Sequence, residues 1–358
     1  MLLGDVSKIK TGNLDVNAKI ENGRYPFFTC AQKPEKIDSY SFDCECVLIA
    51  GNGDLNIKYY EGKFDVYQRT YVVEVLKKDR LDTRFLFYFL KKYLDKLRSQ
   101  SIGGVIKYIK IANLTDIELP EYSLKKQKQI IQILDTADNF RQKRKEQLTL
   151  LDDYLKSVFL DMFGDPVINP KKWPIKELGK VGDLDRGISK NRPRNAPELL
   201  GGPYPLIQTG DVSNSRGYIK EFKQTYSELG LMQSKMWPIG TLCITIAANI
   251  AKTGILTFEA CFPDSVVGFT PNNLVRTEYV QWWMVFLQKM LEEKAPESAQ
   301  KNINLGILRV LDIPVPPIEL QNKFVLIIEQ VEKTKQKMRD SLNEMDNHFN
   351  ALMQRYFE

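Results

Sequence analysis

Ile130-Ile131-Gln132-Ile133-Leu134-Asp135-Thr136-Ala137 and Phe324-Val325-Leu326-Ile327-Ile328-Glu329-Gln330-Val331 lie 194 residues apart and carry one apolar rhythm twice. Followed onward, the first gives Ile130, Leu134, Ala137, Arg141, Arg144, Leu148, Leu151, Leu155, Val158 and Met162, at alternating spacings of four and three. The second gives Phe324, Ile328, Val331, Lys335, Met338, Leu342, Met345, Phe349, Leu352 and Tyr356. Such spacing keeps these positions on one face of a helix and is the seam of a coiled coil. With the same offset and no gap, residues 83–164 laid on 277–358 also match at Thr83/Thr277, Leu97/Leu291, Lys107/Lys301, Pro120/Pro314, Gln127/Gln321 and Phe163/Phe357. Identity is modest, but the heptad keeps its phase in both copies, so the chain is read as a duplication.

Each helix has a start, at Pro120–Leu124 and at Pro316-Pro317-Ile318, because proline is tolerated only in the first turn. The first stops near Gly164-Asp165-Pro166. About 40 residues at helical rise make a rod of roughly 60 Å, longer than one small domain requires. Two rods in phase are expected to pack antiparallel as a spacer. That arrangement would set Arg141-Gln142-Lys143-Arg144-Lys145 beside Lys333-Thr334-Lys335-Gln336-Lys337, cation facing cation, with Asp138, Glu146, Glu329, Glu332 and Asp340 offsetting part of the charge. Such a waist is read either as a solvated coil surface or as a place where another subunit or a phosphate backbone docks, through Arg141, Arg144, Lys335 and Lys337.

Upstream, the repeat weakens but continues. Leu3-Gly4-Asp5-Val6 resembles Leu178-Gly179-Lys180-Val181, and Cys46-Val47-Leu48-Ile49-Ala50 resembles Cys243-Ile244-Thr245-Ile246-Ala247. The offset changes between these matches, so loops of different length interrupt a common scaffold. Short runs such as Tyr25–Thr29, Val47–Ala50, Thr70–Val75 and Thr241–Ile246 predict strands. Thr83–Leu97 and Thr277–Leu291 carry Phe85, Tyr88, Phe89 and Tyr279, Trp282, Trp283 at helical spacing, read as core packing. The fold expected is α+β: two similar domains, 1–119 and 165–313, separated by two long antiparallel coiled-coil helices, 120–164 and 314–358, in a pseudo-twofold internal repeat.

Between the strands lie loops whose side chains match base edges, since Asn and Gln pair with adenine and Arg with guanine. The candidates are Asn52, Asn56, Lys58, Gln68, Arg69 and Lys107 in the first half, and Gln208, Thr209, Asn214, Arg216, Asn249, Lys252, Lys301 and Asn302 in the second. The bland alternative for each is that Asn, Asp, Ser and Gly make good turns.

Bulk properties bound the function without choosing it. The 358 residues suffice for two domains, and 43% hydrophobic composition for buried cores. Lys and Arg exceed Asp and Glu by 51 to 45, which permits a polyanionic partner without demanding one. Cys30, Cys44, Cys46, Cys243 and Cys261 form no CxxC pair, and an odd count suits a reducing cytoplasm better than a disulfide framework. The first residues lack a signal-peptide pattern, and no apolar run is long enough to cross a membrane, so no membrane association is expected.

Catalytic patterns are missing as well. There is no GxxxxGK[ST] loop and no GxGxxG after a strand. The only histidine, His348, stands beside the seam residue Phe349 and is read as a coil-surface group. No Asn- or Asp-Pro-Pro-aromatic tetrapeptide of amino-methyltransferases occurs. No catalytic residue, metal site or cofactor is therefore expected. One enzyme reading stays open: Asp54 with Glu61-Gly62-Lys63 is a loose match to a metal-dependent nuclease, although the corresponding stretch of the second half lacks the lysine and the first carboxylate. A coiled-coil scaffold with no nucleic-acid role is the third possibility.

Ser298-Ala299-Gln300-Lys301-Asn302-Ile303-Asn304, followed by Ile313-Pro314-Val315-Pro316-Pro317-Ile318-Glu319-Leu320-Gln321, resembles the signature that opens the helix of type I restriction–modification specificity subunits. The first copy keeps Ile117-Glu118-Leu119-Pro120 and Gln127 but not the Pro-Pro pair. Phe163-Gly164-Asp165-Pro166 with Trp173-Pro174 resembles that family's entry into its second recognition domain. The resemblance implies two target-recognition domains, each reading half of a split double-stranded DNA site, in a subunit without a catalytic centre. It also implies two modification subunits that methylate adenine with S-adenosylmethionine, and restriction subunits that cleave DNA with ATP. Rod length would then set the gap between half-sites.

Overall fold

Runs of β-branched and aromatic residues pair into curled sheets in both halves, because such side chains fit a pleated surface buried on both faces. The computed structural model describes all residues except 192, 248–249 and 295–302. The chain divides into two compact units, Met1–Gln147 with Met338–Glu358, and Leu148–Lys337.

In the first unit, helix α1 (Leu3–Val6) leads into strands β1 (Ser7–Thr11), β2 (Tyr25–Phe28), β3 (Glu35–Ile37), β4 (Phe42–Ala50), β5 (Ile57–Val66) and β6 (Thr70–Val75). Helices α2 (Thr83–Gln100) and α3 (Ala112–Thr115) follow, then α4 (Leu124–Phe163), whose front half belongs here. The sheet order is β1-β6-β4-β5-β2-β3. Only residues 67–69 join the end of β5 to β6, far too little chain to run the length of the strands, so the sheet must curl. The curl encloses Phe28, Cys46, Leu48, Phe64, Val66 and Val72. Alternate residues of β4, Val47 and Ile49, face a second core with α2, Ile130 and Leu134 of α4, and Phe349 and Met353. Both faces being covered is why Val47–Ala50 reads as an unbroken apolar run.

The second unit has β7 (Ile175–Glu177), β8 (Gly182–Arg186), β9 (Leu200–Leu206), α5 (Thr209–Asn214), β10 (Gly217–Ile219), β11 (Gln224–Tyr226), α6 (Glu228–Met232) and β12 (Met236–Trp237). It continues through β13 (Leu242–Thr245), β14 (Thr253–Leu256), β15 (Ala260–Cys261), β16 (Val266–Pro271), α7 (Thr277–Lys294), α8 (Leu305–Arg309), β17 (Asp312–Pro314) and α9 (Ile318–Phe357). Its main sheet runs β8-β16-β13-β14-β10, strand for strand the β1-β6-β4-β5-β2 of the first. Even the exception to antiparallel pairing is repeated: β2 lies parallel to β5, and β10 parallel to β14. A further sheet, β11-β9-β15-β12, has no counterpart among the described residues of the first unit.

Smaller details repeat as well. Leu3 N donates to Ile117 O at 2.9 Å, and Leu178 N to Leu311 O at 2.8 Å. The expected match of Cys46–Ala50 with Cys243–Ala247, however, is out of register. Val47 lies opposite Val73 and Leu242 opposite Phe269, while Ser7 faces Val75 and Gly182 faces Pro271. Val47 therefore corresponds to Leu242, not Ile244. A slip of two residues preserves which side chains face which core, so the apolar pattern alone does not reveal it.

The helices begin at Leu124 and Ile318 rather than at 120 and 314. Ser123 accepts the Lys126 amide at its side chain, 3.3 Å, and Pro314 still belongs to β17. Gly164, at φ +79°, ends the first helix, with its amide on Leu160 O at 2.8 Å. Every seam position read from the heptads is buried or half-buried. In the first unit Tyr122 Oη donates to Tyr356 O at 3.3 Å and Arg141 Nε to Asp346 at 2.6 Å, so these segments run antiparallel. In the second, Lys335 Nζ reaches Asp152 at 2.6 Å and Phe159 packs edge-on against Phe324, again antiparallel. The expected facing of cation with cation is thus overturned: in each unit the seam cation meets a carboxylate of the opposing segment, and the register removes the repulsion. The aromatic positions of α2 and α7 are core, with Phe85 and Trp283 fully buried.

Candidate nucleic-acid interface

The first-half candidates are drawn together by backbone bonds among three loops. Gly51 N donates to Arg69 O at 2.8 Å, Gly53 N to Lys107 O at 3.0 Å, and Ile109 N to Gly51 O at 2.9 Å. A Cβ on Gly51 would stand 2.5 Å from the Arg69 carbonyl oxygen, so this approach requires glycine. Asn52 bridges Tyr108, and its side-chain oxygen accepts from Cys30 Sγ at 2.9 Å. Gln68, Arg69 and Lys107 are exposed around it.

Asn56 and Lys58 have a different character. Asn56 is 5% exposed, and its amide donates to Cys30 O at 2.8 Å and Asp54 O at 3.0 Å while accepting from Lys58 Nζ. Its groups build the loop. Lys58 is half-buried, and burial lowers its pKa.

In the second half, Gln208 N donates to Asp211 Oδ2 at 2.9 Å, holding the start of α5, and its side-chain amide donates to Gln224 at 3.2 Å. Thr209 is half-buried, and Asn214 and Arg216 are exposed. Arg216 sits in the left-handed region at φ +52°, a conformation costing an ordinary side chain about 1 kcal/mol. Ser215 Oγ donates to Thr253 O at 3.3 Å, which brings α5 beside the half-buried Lys252. Asn249, Lys301 and Asn302 lie outside the described residues, as does most of the Ser298–Asn304 signature.

Two of the four waist candidates, Arg141 and Lys335, are engaged within the helix pairs. Arg141 binds Asp346 and Asp138, the latter at 2.7 Å. Lys335, 3% exposed, binds Asp152 and Glu332. Arg144 is half-buried and Lys337 exposed. His348 is exposed, as a coil-surface group would be.

The nuclease triple has separate partners. Asp54 pairs with Arg98 at 3.5 Å and accepts from Gln32 at 3.0 Å, whereas Lys63 lies over the Tyr40 ring. Among the described residues no group of three or more His, Cys, Asp or Glu could hold a metal ion. Nor is any helix among them long and apolar enough to cross a membrane. All five cysteines are free thiols.

Sequence reading left out Cys30, Gln32, Arg98 and, apart from Lys107, the loop 101–110, all of which join the first-half cluster. The available signal was Gly103-Gly104, a turn marker between two apolar residues. What makes it part of the cluster is pairing with Gly51–Gly53, which no local pattern encodes.

Comparison with known proteins agrees with this geometry. The model of the type I restriction modification DNA specificity domain matches residues 1–150 and again 170–346. The EcoDI type I restriction enzyme specificity subunit of Escherichia coli is 27% identical, over 99% of this chain and 86% of its own length. A putative type I specificity subunit of Haemophilus influenzae is 24% identical, over 90% of this chain and 83% of its own. The crystal structure of the S subunit from M. genitalium shares the fold over 100% of this chain and 95% of its own, with a TM-score of 0.61 at 15% identity. With both halves matched, the chain belongs to the type I restriction modification DNA specificity family, as a non-catalytic DNA-recognition subunit.

Proposed function

We propose that each unit reads one half of a split double-stranded DNA site, and that the chain directs adenine methylation and restriction carried out by partner subunits. In this reading two modification subunits and further restriction subunits bind to it in the cytoplasm. Support comes above all from one observation: two domains with one strand order differ in their loops, and those loops gather Asn, Gln, Arg and Lys side chains. A duplicated scaffold with divergent loops suits two different half-sites, whereas a dimer of identical readers would need a symmetric one. Exposed Arg69 and Lys107 fit phosphate or guanine contacts, and Asn52, Gln68 and Gln208 fit adenine edges.

The test is a profile of adenine methylation in cells that carry this subunit together with its modification partner. The expected result is one bipartite motif with a fixed gap, absent when the subunit is deleted. Methylation unchanged by the deletion would overturn the proposal, as would magnesium-dependent cleavage of DNA by the chain alone.

A further inference from the structure

Between α2 and α3 the chain forms a braced hairpin with an apolar tip. Ile102 and Tyr108 exchange both backbone hydrogen bonds, at 2.9 and 2.8 Å. Gly103 turns at φ +116°, and a Cβ there would stand 2.5 Å from the Ile106 carbonyl oxygen, so the turn closes over its own backbone. Its base is fastened by Lys107 O to Gly53 N and by Ile109 O to the Tyr71 hydroxyl, both at 3.0 Å. On this fixed base Val105 is fully exposed, at 102%, and Ile106 is 62% exposed. β-Branched side chains have few rotamers, so the tip presents a stiff apolar surface.

The surroundings identify what covers it. Lys107 and Lys110 are the only charged residues of the sequence 101–110, Arg69 lies in the neighbouring turn, and Arg98, at the end of α2, pairs with Asp95 and with Asp54, which Gln32 also holds. A basic rim around an apolar tip complements a phosphate backbone enclosing something apolar. Asn52 and Gln68, suited to base edges, stand in the same cluster. In the major groove of a duplex, the apolar group on display is the thymine methyl.

The geometry points to the Val105–Ile106 tip as a reader of thymine methyl groups in the half-site contacted by the first domain. This deepens the proposed DNA reading and rests on it. A half-site that contains an adenine to be methylated has a thymine on the opposite strand, so the required group is present. The second half carries Ala299 and Gln300 at the repeat-matched positions, so the Val-Ile pair is not repeated in the sequence.

The experiment uses the complex with the modification subunits and synthetic duplexes of the site mapped by methylation, with thymine or deoxyuracil in the first half-site. Wild type is expected to bind the uracil duplex about four-fold more weakly per contacted methyl. V105S/I106S, altered only at exposed positions, should bind both duplexes alike and with the lower affinity. A variant that keeps the full difference between thymine and uracil overturns the inference. So does one whose binding loss is the same on both duplexes and follows release of the modification subunit, which would make the tip a protein contact. Wild type that binds no duplex specifically refutes the underlying DNA reading itself, and is told apart by that control.

Discussion

Gln127 and Gln321 show how much a single duplicated side chain holds. Gln127, 1% exposed, accepts from Asp82 N at 2.9 Å and donates to Arg80 O and Tyr122 O, both at 2.8 Å. Gln321, fully buried, accepts from Arg276 N at 2.8 Å and donates to Leu274 O at 3.0 Å and Pro316 O at 2.9 Å. Each side chain satisfies three backbone groups that burial would otherwise leave unpaired, and each ties the entry of α2 or α7 to the start of a long helix. Replacing either by alanine is expected to cost its own unit about 2–4 kcal/mol. The check is a lower midpoint in urea unfolding, with faster hydrogen exchange at the Asp82 amide in Q127A and at the Arg276 amide in Q321A. An unchanged midpoint would mean that water replaces the amide without penalty.

At the scale of elements, the two ion pairs fix helix register inside an apolar seam. Lys335 reaches Asp152 and Glu332 just as Arg141 reaches Asp346 and Asp138, each residue of one set standing at the repeat position of the other. Lys335→Ala removes the cation that Asp152 and Glu332 share and is expected to destabilise the second unit by about 1–3 kcal/mol, the half-exposed Asp152 softening the loss. Lys335→Met keeps the apolar stem but removes the same cation from Asp152 and Glu332, so it is expected to recover only the packing share of the loss. Urea unfolding of both variants separates charge from packing. Equal losses would assign the effect to the charge alone.

At the scale of the whole molecule, the proposed split-site reading gives the long helices a measurable consequence. We expect removal of one heptad from each helix to shorten the unspecified gap of the recognition sequence while both half-sites stay readable, because seven residues restore the seam phase. Methylation mapping of the shortened subunit checks this, and an unchanged gap would show that the helices do not set the spacing.

The duplicated heptads by themselves determined a good deal. They gave two helices of equal length, and the constant offset carried through α2 and α7, because a helix is specified by contacts within a few residues and its pattern survives divergence. The seam listed Arg141 and Lys335 correctly, but their partners Asp346 and Asp152 emerge only when segments distant in sequence come side by side. β5 went unread because Glu61-Gly62-Lys63 interrupts its apolar alternation; its strand character comes from pairing with β4. The same holds for the true match of Val47 with Leu242. The candidate readers were visible as residue types, yet what assembled Asn52, Gln68, Arg69 and Lys107 was a set of backbone hydrogen bonds between loops. Those bonds join peptide groups that every residue carries, so the side-chain pattern holds no record of them until the sheet has curled.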